Sequence, residues 1–155
     1  MKLRIVALGH RLPSWVDEAY ADYARRMPRA LSLELVEIKA EPRHRGKSVG
    51  QMLAAESERI AVATQGFSVV ALDEHGSGWT TARLAAALGT WRDAALDVAF
   101  VIGSADGLDE DVKKRAHVVM ALSALTLPHG LARVMLAEQL YRAASLLQGH
   151  PYHRE

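Results

Sequence analysis

Val98-Ala99-Phe100-Val101-Ile102-Gly103-Ser104-Ala105-Asp106-Gly107 sets five consecutive apolar residues directly ahead of a turn bracketed by glycines. An unbroken apolar run of strand length has no wet face, so it reads as a strand covered on both sides. Asp109–Ala116 follows as a short helix, and Val118–Leu122 as the next strand. A strand, a helix and a strand in that spacing make a crossover unit, which joins parallel strands.

The same alternation extends in both directions. Leu3–Leu8 reads as a buried strand closed by Gly9, and Leu31–Ile38 as a strand with one wetter face. Between them Ser14 is expected to cap a helix on which Trp15, Ala19, Tyr20 and Tyr23 recur at helical spacing, with Pro28 ending it. Lys47–Thr64 reads as a helix, Phe67–Leu72 as a third strand and Thr81–Ala94 as a helix. Leu131–Leu147 is the longest helix. The expected fold class is therefore α/β, a mainly parallel sheet with helices on both faces, in one domain over residues 1–155. Ligands on such sheets bind beyond the carboxyl ends of the strands.

Composition narrows the function classes. The chain has 155 residues, is half hydrophobic and has no cysteine. That excludes disulfides, zinc–thiolate sites and thiol nucleophiles, and fits a reducing compartment. No apolar run approaches the ~20 residues of a membrane span, and the short run after Met1 meets His10-Arg11 rather than a signal-cleavage site. The expectation is a cytoplasmic protein without a membrane partner. Net charge is +1, yet residues 1–47 hold ten Lys/Arg against six Asp/Glu. Four of those cations fall between Lys39 and Lys47, in a loop able to grip phosphates or simply to stay solvated.

Three strand ends carry loops suited to a ligand. Leu72 opens the polar connection Asp73-Glu74-His75-Gly76-Ser77-Gly78. Gly103 and Gly107 bracket the start of a helix, where backbone amides can face an anion or an adenine edge. Leu122-Ser123-Ala124-Leu125-Thr126-Leu127-Pro128-His129 mixes apolar residues with hydroxyls and an imidazole, as an adenosine pocket requires. None of these is a dinucleotide fingerprint or a Walker loop. The long helix is apolar nearly all round, which implies burial on two sides and a second copy of the chain as the simplest partner. The chain closes on His150-Pro151-Tyr152-His153-Arg154-Glu155, a dense set of functional side chains, and no metal is expected there without cysteines or a clear third ligand.

In order along the chain, Val6-Ala7-Leu8-Gly9 with Pro13-x-Trp15-Val16, Leu72-Asp73, Ile102-Gly103 with Gly107-Leu108, Leu122-Ser123-x-x-Thr126-x-x-His129, Glu138-Gln139-x-Tyr141-Arg142 and His150-Pro151-Tyr152-His153-x-Glu155 resemble the ribosomal RNA large-subunit methyltransferase H family, of the SPOUT class. The resemblance implies a C-terminal trefoil knot, a homodimer packed through the last helix, and S-adenosylmethionine bound at Leu72, Gly103, Gly107 and Leu122 to Leu127. It implies methylation of N3 of a pseudouridine in 23S rRNA on the assembled ribosome. His153 or His129 is then the expected proton acceptor, Arg154 the support for developing negative charge or a phosphate, and Tyr152 a stacking platform for the base. Family members commonly carry Gly-Gly where this chain has Gly103-Ser104, so a hydroxyl enters that loop. A non-catalytic RNA-binding dimer is the rival reading. It accounts for the basic loop but not for the strand-end glycines and the tail.

Overall fold

The computed structural model describes residues 1–9, 11–43 and 46–153, with the backbone alone at His153. Five strands, β1 (Lys2–Leu8), β2 (Ser32–Ile38), β3 (Ser68–Gly78), β4 (Val98–Ile102) and β5 (Val118–Ala121), form one parallel sheet in the order β2-β1-β4-β3-β5. The helices are α1 (Ser14–Arg26), α2 (Val49–Ala63), α3 (Thr81–Asp93), α4 (Glu110–Arg115) and α5 (His129–Leu147), and a 3-10 turn, Pro151–His153, follows.

Strand periodicity decides which side chains meet which helices. Leu3, Ile5 and Ala7 of β1 join Val98, Phe100 and Ile102 of β4 on the face covered by α1, α3 and α5. Val6 and Leu8 join Ala99 and Val101 on the face that carries Ile60 of α2 and Val112 of α4. All five β4 residues are buried, as the apolar run predicts. Each large side chain so removed from water contributes about 1.5–3 kcal/mol.

Local chemistry sets the helix ends. Ser48 caps α2 in a reciprocal box with Gln51, its hydroxyl accepting the Gln51 amide at 3.1 Å and the Gln51 side chain accepting the Ser48 amide at 3.0 Å. Ser14, expected to cap α1, is instead its first helical residue, and Pro13 occupies the capping position with no side-chain bond. The buried α1 residue is Val16, while Trp15 is 48 % exposed.

The largest departure concerns β3. Asp73–Gly78 reads as a loop but continues the strand, with Ser77 and Gly78 pairing with Met120 and Ala121 of β5 past a register shift after Leu72. Asp, Gly and Ser disfavour strands locally, and the open edge of β5 overrides that preference. The shift pushes Asp73, Glu74 and His75 out toward the carboxyl end of the sheet, where β1 and β4 end at Leu8 and Ile102.

Candidate functional site

Beyond those strand ends lies a cleft of about 970 Å³, a size suited to a nucleoside-sized ligand. Of the residues expected at a cofactor, Leu72, Gly103, Gly107, Leu122, Ser123, Leu125, Thr126 and Leu127 all line it, and Ala124 does not. His129 stands at its floor where α5 begins.

The β4–α4 turn forms one wall. Gly107 adopts φ +81°, and its amide donates to the Ser104 carbonyl at 2.9 Å. The turn brings Gly107 so close to Gly103 that a Cβ on Gly103 would lie 2.5 Å from the Gly107 carbonyl oxygen. Glycine is thus required at 103 by the loop's own backbone. The Ser104 hydroxyl is not idle in this turn. Its Oγ donates to Glu56 at 2.9 Å and accepts from Arg43 at 2.9 Å.

Those contacts belong to a charged cluster that sequence reading missed. Glu56 of α2 is 2 % exposed and accepts the Glu41 amide and Arg43 Nη1, both at 3.0 Å. Arg43 also bonds Asp106 at 2.9 Å, so loop 40–43 and the β4–α4 turn are clamped together beside the cleft. Lys47 and Arg59 both pair with Glu41, whose carboxyl those two partners hold below the usual carboxylate range. The cations expected to grip phosphate are, at Arg43 and Lys47, already matched by carboxylates. His44 and Arg45 of that loop lie outside the described residues.

The opposite side is apolar and open. Leu125 is 76 % exposed, its amide donates to Ser123 Oγ at 2.9 Å, and the Thr126 hydroxyl donates to Glu74 at 3.2 Å. Asp73 beneath it accepts the His75 amide at 2.8 Å and Lys113 Nζ at 3.4 Å.

His129 is engaged at both nitrogens. Nδ1 lies 3.1 Å from the Gly103 carbonyl and Nε2 lies 3.3 Å from Arg133 Nη2. Burial, and then the Arg133 charge, hold its pKa below the ordinary histidine range. Tyr152 does not enter the cleft of its own chain. Gly149, at φ +65°, turns the tail back onto α5, where the Tyr152 ring lies 4.5 Å from the Tyr141 ring and its hydroxyl donates to Glu138 at 3.2 Å. Burial, then the Tyr23 hydroxyl and the Glu138 carboxylate, raise the Tyr152 pKa well above the tyrosine range, so it stays a neutral phenol. The side chain of His153, and Arg154 with Glu155, lie outside the described residues. Among the described residues no three His, Asp or Glu side chains gather as a metal site, and no helix is long and apolar enough to cross a membrane.

Known proteins share both this sequence and this fold. The family described as "Predicted SPOUT methyltransferase" matches residues 1–153. The chain is 55 % identical to the "Ribosomal RNA large subunit methyltransferase H" of Nitrosospira multiformis, over 99 % of both chains. It is 54 % identical to the protein of the same name from Burkholderia cenocepacia, again over 99 % of both. A solved structure titled "Probable Methyltransferase" from Bordetella pertussis superposes with a TM-score of 0.60 at 20 % identity, covering 92 % of this chain and 93 % of that one, and so shares the fold.

Proposed function

The chain belongs to the SPOUT methyltransferase family, and from that premise we propose that it transfers a methyl group from S-adenosylmethionine to N3 of a pseudouridine in 23S ribosomal RNA. The observation that carries the reading is the end-to-end likeness to large-subunit rRNA methyltransferases, and the cleft supports it on independent physical grounds.

The lining suits such a methyl donor. Leu72, Ile102, Leu122 and Leu127 offer flat apolar walls for an adenine, and the Gly103–Gly107 turn offers backbone partners for its edge. Asp73 and Glu74 bring carboxylates to the same cleft, favourable for a ligand with an ammonium and a sulfonium. When bound, S-adenosylmethionine supplies a methyl group already activated toward nucleophiles. The protein's tasks are then to align the acceptor nitrogen, exclude water and remove the imide proton. Leu125 and Thr126 are placed to fold down on a ligand, since little else in the chain covers them.

Proton removal is assigned to His153 and charge support to Arg154. His129, whose nitrogens are both engaged, is assigned to orientation. Tyr152 acts as a stacking platform in the cleft of a second copy. Its support is the outer stripe of α5, where Leu131 (42 % exposed), Met135 (37 % exposed), Glu138 and Arg142 follow at spacings of three and four residues and run into Tyr152. A homodimer packed through that stripe brings each tail toward its partner. The trefoil knot belongs to the same reading, supported by a 122–129 segment that reaches both Glu74 and Gly103. Assembled ribosomes as substrate place the activity in the cytoplasm.

The test is direct. Ribosomes from cells lacking the protein are incubated with it and S-adenosylmethionine, and their RNA is mapped by mass spectrometry. One methyl group added to a pseudouridine of the large-subunit RNA is expected. No transfer, or transfer to another base, overturns the reading.

A further inference from the structure

Arg133 is fully buried and first by volume among the fully buried side chains, yet it carries a guanidinium charge. It sits one turn after His129 on α5. Its Nη1 reaches Glu37 of β2 at 3.1 Å and Asp17 of α1 at 4.0 Å, Nη2 reaches His129 Nε2 at 3.3 Å, and Nε has no partner among the described residues. A buried ion costs several kcal/mol in lost hydration, and a well-packed apolar residue often serves stability as well or better. Stability therefore gives little reason for a guanidinium here.

The imidazole gives one. A carbonyl oxygen only accepts, so the 3.1 Å contact to Gly103 requires the proton on Nδ1. Nε2 then presents a lone pair, and Arg133 donates to it. The chain of donation runs one way, from guanidinium to imidazole to the Gly103 carbonyl at the end of β4. The alternative tautomer would set a lone pair against the carbonyl and an N–H against a cation. We propose that Arg133 is a positioning residue for the methyl-donor site: it locks neutral His129 as the Nδ1–H tautomer and thereby anchors the Gly103 carbonyl at the floor of the cleft. This rests on reading that cleft as the cofactor site.

Among the described residues, the charged and titratable groups around the imidazole are few. Arg133 shares its helix, Glu37 faces the guanidinium from β2, and Asp17 and Tyr20 face it from α1. The Tyr20 phenol is pushed up to about 12, chiefly by burial, and stays neutral. Arg133 is thus the group that opposes a second positive charge on His129.

The decisive measurement is ¹⁵N NMR of the histidine rings in the free protein, between pH 8 and 5. Wild-type His129 is expected to show a protonated Nδ1 and an unprotonated Nε2 and to remain neutral below the ordinary histidine range. Arg133→Met is expected to let the ring exchange tautomers and titrate closer to that range. It should also weaken S-adenosylhomocysteine binding by about tenfold, as expected for one lost buried hydrogen bond, and more at pH 6 than at pH 8. Arg133→Lys, which keeps a donor, should restore most of the tautomer preference. A wild-type ring with its proton on Nε2, or one that titrates as an exposed histidine, overturns the proposal, and that result needs no variant to fold. Undiminished, pH-independent binding by Arg133→Met overturns it as well. A wild-type protein with the expected tautomer that binds no S-adenosylhomocysteine defeats the cofactor reading instead, and with it the functional half of this inference.

Discussion

The two sides of the cleft are built in opposite ways. The Gly103–Gly107 turn is closed by backbone against backbone, and Ser104, Arg43, Asp106 and buried Glu56 tie it to the α2 side. The Leu122–Pro128 segment is instead steadied by the Ser123 and Thr126 hydroxyls, and Leu125 stands largely in water. One side is finished before a ligand arrives. The other holds apolar area that only a ligand or a partner would cover. A preformed wall fixes where a ligand sits, and an adaptable one lets it enter and then excludes water.

The contrast is open to attack at four points. The heaviest blow should be Gly103→Val, because the added atoms collide with main chain that has no rotamer to change. Calorimetry should show S-adenosylhomocysteine affinity reduced by roughly a hundredfold or more, and urea melts a stability loss of roughly 1–3 kcal/mol. Unchanged affinity would show that the turn is not the rigid wall. Next in size is Glu56→Gln, which keeps the shape of the clamp and removes its charge. Arg43 can turn to water once freed, so a stability loss of about 1–3 kcal/mol is expected, read as a lower denaturation midpoint.

The adaptable side should respond in the reverse sense. Leu125→Ala should leave unfolding within about 0.5 kcal/mol of wild type, as for other surface changes. It should nevertheless cost about tenfold in affinity for S-adenosylhomocysteine, through apolar contact made only in the complex. A stability loss without an affinity loss would make that side as preformed as its opposite. The smallest effect belongs to Ser104→Gly. It removes one hydroxyl from the clamp, worth about 0.5–1.5 kcal/mol in thermal melts, and should change affinity by no more than about twofold.

Legibility in the sequence followed the same division. Apolar runs and glycine punctuation located the start of every strand and α-helix within a few residues, because burial on both faces of a parallel sheet leaves no other place for Leu3–Leu8 or Val98–Ile102. The order β2-β1-β4-β3-β5 was not legible, since a crossover helix can return the chain beside any earlier strand. The continuation of β3 through Gly78 was hidden because its residues are poor strand formers and its pairing with β5 is non-local. Strand-end loops announced the cleft through their glycines and hydroxyls, but the charged groups beneath it did not announce themselves. A signal existed all the same. Glu56 lies four residues from buried Met52 and four from buried Ile60, and Arg133 stands on the arc of Leu136, Ala137 and Leu140. A charge on an apolar helical stripe marks a buried partner to be found.

The strand order also bears on how the molecule is made. β4 joins the two halves of the sheet, pairing with β1 on one side and β3 on the other. During synthesis β1, β2 and β3 are all made before the strand that unites them. From the end of β2 to the start of β4 is about sixty residues, several seconds of elongation at typical rates. Through that interval the β4-facing edge of β1, among the most apolar segments of the chain, has no native neighbour. A nascent chain halted just before Val98 should therefore bind holdase chaperones and be cut readily by protease, whereas the completed, released chain should resist both.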